Sequence, residues 1–257
     1  MSDARALVIE NDPTDDIRRL GEWLTDAGLD LHVIKPYQGE ELPEDLDGYD
    51  ALIVLGGDQH VYPDADGNPG APWFPRAESL LRKAVRRKIA TLGVCLGGQL
   101  LAAATGGVVE RSSSGPEIGA KLVARRDKAE EDPLWRYVPF VPDVLQWHVD
   151  EITALPAGAT LLAASTNYPN QAFRVGERAW GLQFHIECDV DMIASWADGN
   201  DRVLADLGTS GDEVVAACAA VMADLEEVWQ PFAARFAAVA RGELDTTPTR
   251  VLPLLGH

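Results

Sequence analysis

The segment Ala51–Leu55 constrains the fold of this chain more than any other part of its sequence, because all of its residues are apolar. An apolar run without alternation is expected of a central parallel strand that is covered on both faces. Gly56 and Gly57 follow directly and should end the strand abruptly. The chain is therefore expected to build a sheet with helices on both of its sides.

Strands and helices alternate on either side of this segment. Further strands are predicted by apolar runs at residues 6–9, 31–34 and 89–94, and helices are predicted at residues 17–24, 73–88 and 96–104. Thr14, Asp15 and Asp16 precede the first of these helices and are predicted to cap it. The alternation predicts an α/β fold with a doubly wound, mostly parallel sheet and short connections.

A long amphipathic pattern begins behind Ser210 and Glu213, which have the spacing of a capping box. Apolar residues then recur every three or four positions from Val214 to Val239. This spacing predicts one long helix, or two abutting helices because Pro231 removes an amide donor.

Length favours one α/β domain with additions, since 257 residues are many for one domain and few for two. We expect residues 1–190 to form a catalytic domain and residues 191–257 to form a helical extension packed on it. The alternative is that the apolar stripe of the extension is a surface for a second copy of the chain or for another partner. Oligomeric state is left open.

The acidic composition limits the partners of the chain. Asp and Glu number 41 against 22 Lys and Arg, which gives a net charge of −19. Such an excess repels nucleic-acid phosphate and anionic lipid, so neither nucleic acid nor a membrane is expected as a partner. The first residues have no basic segment followed by an apolar stretch, so a cytoplasmic protein is expected. Cys95, Cys188 and Cys218 are far apart, which indicates neither a disulfide framework nor a metal site.

Cys95 lies where a buried strand should turn sharply into a helix, in the segment Gly93-Val94-Cys95-Leu96-Gly97. This is the layout of a nucleophile elbow, in which small flanking residues allow a tight turn at the carboxyl end of the sheet. A cysteine there also lies at a helix N-terminus, whose partial positive charge favours the nucleophilic thiolate. The alternative is a small buried cysteine in a β-to-α turn.

A base and an oxyanion site are predicted on two further segments. An apolar strand ends in His185, and Glu187 follows two residues later, where its carboxylate can fix the imidazole tautomer. Alone, this histidine would more often be a hydrogen-bonded core residue, but beside an elbow it is predicted to be catalytic. The amides of Gly56 and Gly57 can point at a developing oxyanion, unless these glycines only form a tight turn.

Together these motifs resemble a known family. The motif Gly93-Val94-Cys95-Leu96-Gly97-Gly98-Gln99, with Gly56-Gly57 before it and Phe184-His185-Ile186-Glu187 after it, resembles the class I glutamine amidotransferases. It is similar in particular to stand-alone chains like the amidotransferase domain of GMP synthase. The resemblance runs from about residue 5 to residue 190 and implies a flavodoxin-like α/β fold.

The resemblance also implies roles for individual residues. Cys95 would be the nucleophile, His185 the general base and acid, and Glu187 its orienting partner. The backbone amides of Gly57 and Leu96 would form the oxyanion hole. The residues that would hold the glutamine-like substrate are Gly56, Gln99, Trp147 and His148. No metal and no cofactor is implied.

Three positions depart from the pattern of the family that the chain resembles. Ile186 and Asp58 stand where proline is usual or frequent, which could change the orientation of Glu187 and loosen the oxyanion loop. Cys188 directly follows Glu187 and is expected to be a semi-buried small residue rather than a second nucleophile.

The leading functional hypothesis is a cysteine hydrolase or transferase that cleaves a γ-glutamyl amide, in glutamine or a γ-glutamyl compound, through a γ-glutamyl thioester. The first alternative is a glutaminase subunit that delivers ammonia to a separate, GMP-synthase-like synthetase, because the sequence has no P-loop-like segment of its own. The second alternative is a non-catalytic binding protein of the same fold. The intact set of Cys95, His185 and Glu187 argues against this last hypothesis.

Overall fold

The computed structural model describes residues 4–246. The predicted extension therefore lies outside the described residues from residue 247 onward. The strands are β1 (Ala4–Ile9), β2 (Leu29–Ile34), β3 (Ala51–Val54), β4 (Ala90–Val94), β5 (Val108–Arg111), β6 (Glu117–Leu122), β7 (Ala124–Arg125), β8 (Asp143–His148), β9 (Asp150–Ala154), β10 (Thr160–Ala164), β11 (Ala172–Val175) and β12 (Ala179–Leu182). The α-helices are α1 (Arg18–Asp26), α2 (Phe74–Arg87), α3 (Leu96–Ala104), α4 (Val190–Ala197), α5 (Asp201–Asp206) and α6 (Gly211–Ala240).

A central sheet has the strand order β2-β1-β3-β4-β12-β11-β10-β7. Its strands run parallel from β2 to β12, and β11, β10 and β7 continue it in antiparallel pairs. The apolar segment that was predicted as a buried parallel strand is β3, between β1 and β4. The predicted doubly wound, mostly parallel sheet is confirmed.

Strand β1 shows why the sheet is covered on both faces. Ala6 and Val8 belong to a core that includes residues of α1, α4 and α6, whereas Leu7 and Ile9 belong to a core with α2 and α3. All four side chains are fully buried. Burial of a valine, leucine or isoleucine side chain stabilises a fold by about 1.5–3 kcal/mol, so a strand with both faces apolar requires helices on both sides.

Helix α6 is one continuous helix with Pro231 inside it, so the first of the two predicted forms is present. Its start is a capping box: the Ser210 hydroxyl accepts a hydrogen bond from the Glu213 amide at 3.4 Å, and the Glu213 carboxylate accepts one from the Ser210 amide at 2.9 Å. On its apolar face, Trp229 and Phe232 are fully buried. Within the described residues, no helix has the length and apolar character needed to span a membrane.

Two short antiparallel ribbons, β5 with β9 and β6 with β8, lie outside the central sheet. The His185 amide donates a hydrogen bond to the Leu145 carbonyl of β8 at 2.8 Å. This contact ties the segment that follows β12 to the ribbon that carries Trp147 and His148.

Candidate active site

Cys95 joins β4 to α3 with φ of 50° and ψ of −110°, a conformation that residues other than glycine rarely adopt. A Cβ atom at Gly93 would run into the Gly97 carbonyl, and one at Gly97 would run into the Val54 carbonyl. Glycine is therefore required at both positions for so tight a turn. The Cys95 amide donates to the Leu182 carbonyl at 2.8 Å, so β12 holds the strained residue in place.

The Cys95 side chain lies on the wall of a cavity, together with Gly57 and Leu96. A Cβ atom added to Gly57 would lie 3.1 Å from Leu96 Cδ2, so these two residues lie side by side. Leu96 is the first residue of α3, where backbone amides have no partner within the helix. Gly57 and Leu96 thus line the same cavity as Cys95, where donors for an oxyanion would be needed.

His185 and Glu187 form a buried hydrogen-bonded pair, in which His185 Nδ1 lies 2.6 Å from Glu187 Oε1. The Ile186 amide donates to Glu187 Oε2 at 2.9 Å. The departure from proline at this position therefore gives the carboxylate a hydrogen bond that proline could not donate. Both carboxylate oxygens are held, which fixes Glu187 against the imidazole ring.

The electrostatic surroundings of His185 favour its charged form. Burial lowers the pKa of His185, but the charges of Glu187 and Cys95 outweigh this effect and hold the pKa well above its usual range. Because Nδ1 is occupied by Glu187, Nε2 is the nitrogen left for proton exchange, and it is buried without a hydrogen-bond partner. The Trp196 ring of α4 has its centroid 4.7 Å from that of the imidazole.

Asp15 is an acidic neighbour of His185 that the sequence analysis did not assign to the site. A Cβ atom on Gly56 would lie 2.5 Å from Asp15 Oδ1 and 3.1 Å from His185 Cε1, so the two side chains flank the same glycine. Burial raises the pKa of Asp15 to about 7, and the charge of His185 partly opposes this rise. The prediction that Thr14, Asp15 and Asp16 cap the first helix was wrong, because α1 follows Ile17 without a side-chain cap.

Cys188 is a buried thiol beside the same pair. Burial and the charge of Glu187 raise its pKa well above the usual range, so its protonated form is favoured. One side-chain atom each of His185, Glu187 and Cys188 lies within 4.8 Å of the others, a spacing that a metal ion could bridge. The hydrogen bonds to both carboxylate oxygens account for this grouping without a metal.

The cavity beside Cys95 has a volume of about 530 Å³. It brings together six of the residues predicted for the site, namely Gly57, Cys95, Leu96, Gln99, Trp147 and His148. Gly56, His185 and Glu187 do not line it. Gly56 lies instead between Asp15 and His185, and the imidazole and its carboxylate are almost fully buried.

One end of the cavity is a polar network around Asp150. The Asp150 carbonyl is 2.9 Å from His148 Nδ1 and accepts a hydrogen bond from Gln99 Nε2 at 3.3 Å. Its carboxylate lies 2.7 Å from His60 Nδ1 and accepts a hydrogen bond from the Tyr62 hydroxyl at 3.1 Å. Sequence reasoning missed Asp150, although its position two residues after His148 was a signal that could have found it.

A second wall of the cavity comes from α5 and its flanks and was not predicted. Its lining residues are Asn200, Val203, Asp206 and Leu207. This segment carries no motif, so nothing in the sequence marked it as part of the site.

The chain is similar to known proteins in sequence and in fold. The family described as glutamine amidotransferase class-I matches residues 18–191. The chain is 32% identical to the glutamine amidotransferase-like protein YfeJ of Salmonella typhimurium, over 72% of this chain and 76% of that protein. It is 30% identical to γ-glutamyl peptidase 4 of Arabidopsis thaliana, over 64% of each chain.

A third relative is a glutamine-hydrolysing GMP synthase of Porphyromonas gingivalis, with 35% identity over 59% of this chain. The match spans only 27% of that longer protein. Among solved structures, a glutamine amidotransferase from Thermotoga maritima superimposes with a TM-score of 0.80 and 26% identity, over 92% of this chain and 99% of that one.

Proposed function

Since the chain belongs to the class I glutamine amidotransferase family, we propose that it cleaves γ-glutamyl amides by attack of Cys95, through a γ-glutamyl thioester. One relative is named a γ-glutamyl peptidase and another a glutamine-hydrolysing synthase. The bond common to both names is an amide on a γ-glutamyl carbonyl. That bond is the substrate class that we assign to the cavity.

The observation that carries this proposal is the state of the imidazole. His185 Nδ1 is held by Glu187, Nε2 has no partner within hydrogen-bond distance, and the Cys95 and Cys188 thiols both act on the ring. A histidine in a structural core would normally use both nitrogens, because an unpaired buried polar atom costs about 1–3 kcal/mol. An unpaired nitrogen near an elbow cysteine is what a general base requires.

The reaction would proceed in two balanced steps. In the first, the proton of the Cys95 thiol is held on His185 Nε2, in keeping with the charged form that the ring favours, and Cys95 Sγ bonds to the γ-carbonyl carbon while the oxyanion faces the amides of Gly57 and Leu96. The carbon–nitrogen bond then breaks, and the amine leaves with the proton from His185. In the second step His185 removes a proton from water, the hydroxide attacks the thioester, and the proton returns to the thiolate as glutamate leaves.

Glutamate release by the purified chain tests the proposal, with glutamine and γ-glutamyl dipeptides as substrates. We expect steady turnover in the parent chain and none in Cys95→Ala, with circular dichroism showing that the variant is folded. Turnover retained in Cys95→Ala would refute the assigned nucleophile.

A glutaminase subunit that supplies ammonia to a synthetase is the second candidate, favoured by the similarity to GMP synthase. The two candidates differ in what the isolated chain can do. A self-sufficient hydrolase turns over alone at a rate that ATP does not change, whereas a dependent subunit stays idle until its synthetase is added. The same glutamate assay, run with and without ATP and a synthetase, separates them.

A further inference from the structure

Two aliphatic side chains of α5 and its C-terminal flank line the cavity without packing into either core. Val203 and Leu207 are 37% and 44% exposed, and they are four residues apart, so they lie on the same face of the helix. Leu204, between them in sequence, is fully buried and anchors the helix in the core. The segment is therefore fixed to the protein by one face and presents apolar surface to the cavity with the other.

The two walls of the cavity differ in polarity. Around Asp150, the buried side chains are polar and hydrogen-bonded, as the α-amino and α-carboxylate groups of a glutamyl residue would require. At α5 the wall combines two partly exposed aliphatic side chains, Val203 and Leu207, with Asn200 and Asp206. With Cys95 at the γ-carbonyl and the glutamyl group at the polar wall, Val203 and Leu207 remain as aliphatic side chains of the cavity that the leaving amine can contact.

The volume of the cavity and the charges on its walls limit which amine can be the leaving group. A volume of about 530 Å³ lies in the range of pockets that enclose drug-sized ligands, and the ammonia of glutamine would leave the α5 wall without a contact. Asp206 of this wall and Asp58 both line the cavity, and their charges would repel a carboxylate on the amine. Arg111, the cation that lines the described cavity, interacts instead with Tyr62 beside Asp150.

We propose that α5 forms the subsite for the amine half of the substrate, so that the chain prefers γ-glutamyl amides of apolar alkyl or aryl amines that carry no carboxylate. This inference rests on the proposed function and names its substrate class. The segment lies beyond residue 191, where the match to the family ends.

Three γ-glutamyl amides with tails of equal length test the subsite: the neutral n-butylamide, the amide of 4-aminobutyrate, and the amide of 1,4-diaminobutane. Glutamine is the reference. We expect kcat/KM for the butylamide to exceed that for the carboxylate-bearing amide by about tenfold or more. Equal values, or a preference for either charged tail, would overturn the assignment.

Val203→Asp should lower the ratio of butylamide to glutamine kcat/KM by about tenfold, because a charge then faces the tail. Ala205→Asp adds the same charge to an exposed residue of α5 that does not line the cavity, and should leave that ratio unchanged. An unchanged ratio in Val203→Asp, or an equal loss in the Ala205 control, contradicts a contact with the tail.

Binding separates failure of this inference from failure of the proposed function. In Cys95→Ala, which cannot turn over substrate, calorimetry should show the butylamide binding at least about fivefold more tightly than glutamine, with the difference lost when Val203→Asp is added. If no amide is cleaved by the parent chain but this difference is seen, the subsite stands and the hydrolase does not. Equal binding of the two ligands would overturn the subsite even where cleavage is observed.

Discussion

The part of the cavity at Cys95 and the part at α5 are built by different means. At Cys95 the geometry is set by the backbone, through glycines at 93 and 97 that neighbouring carbonyl groups press against. At α5 the wall is made of side chains on a short helix, and two of them, Val203 and Leu207, do not pack into the core. The difference indicates that the reactive end tolerates almost no substitution, whereas the α5 end can change its lining without loss of the fold.

Gly97→Ala should have the largest effect on the turn at Cys95, because the new methyl group would collide with the Val54 carbonyl. We expect glutamate release to be lost and the free energy of unfolding to fall by about 2–4 kcal/mol, measured by chemical denaturation. Ala103→Ser, a half-buried position on the same helix, is the control and should change stability by less than about 1 kcal/mol. A Gly97→Ala variant with parental activity would mean that the elbow is not needed.

Glu187→Gln should lower kcat by about 100-fold, less than the loss in Cys95→Ala or His185→Ala. The amide can still hold the ring but cannot stabilise the imidazolium by charge. Steady-state kinetics with one substrate measures the effect, and Glu177→Gln on the surface serves as the control. An unchanged kcat would show that His185 acts without its partner.

Asp15→Asn should change how the free energy of unfolding depends on pH. The folded-state pKa of about 7 lies above the usual value of 3.8, so the folded state binds more protons and Asp15 destabilises it progressively between about pH 4 and pH 7. The variant should gain about 4 kcal/mol relative to the parent at pH 8 and almost nothing at pH 4. Urea unfolding at both values measures this gain.

The exposed Asp26 provides the matched control for Asp15, since Asp26→Asn makes the same chemical change in solvent. A pH-independent difference between Asp15→Asn and the parent would show that burial and the neighbouring charges leave the pKa of this carboxyl at its usual value.

Ile186→Pro should have the smallest effect, because it removes one hydrogen bond to Glu187 Oε2 and leaves the bond to His185 in place. We expect kcat to fall by about three- to tenfold, while Ile186→Val, which keeps the amide, retains parental kcat. A variant as active as the parent would show that the contact with His185 is enough to hold the carboxylate.

The features that could be predicted from the sequence are those that depend on residues close to one another along the chain. The buried strand β3, the alternation of elements and the turn at Cys95 each follow from apolar runs and glycines within a few residues of one another. The hydrogen bond between His185 and Glu187 also lies within one short segment. Local patterns are sufficient for such features, because the backbone itself carries them.

What could not be predicted depends on contacts between distant segments. Asp15 stands in a stretch with Asp12 and Asp16, and only the packing of that loop against His185 distinguishes it from them. The α5 wall is brought to Cys95 by the burial of Leu204, which is an ordinary aliphatic residue in the sequence. No spacing rule links either segment to the elbow.

The different burial of the three thiols has a consequence for chemical labelling. Cys188 and Cys218 are closed off in the protein, and burial raises the pKa of both, whereas Cys95 opens onto the cavity. Toward a polar electrophile such as iodoacetamide, the native chain should therefore behave as a single-thiol protein. One equivalent of label per chain then counts correctly folded sites directly, and any excess reports the fraction that is unfolded.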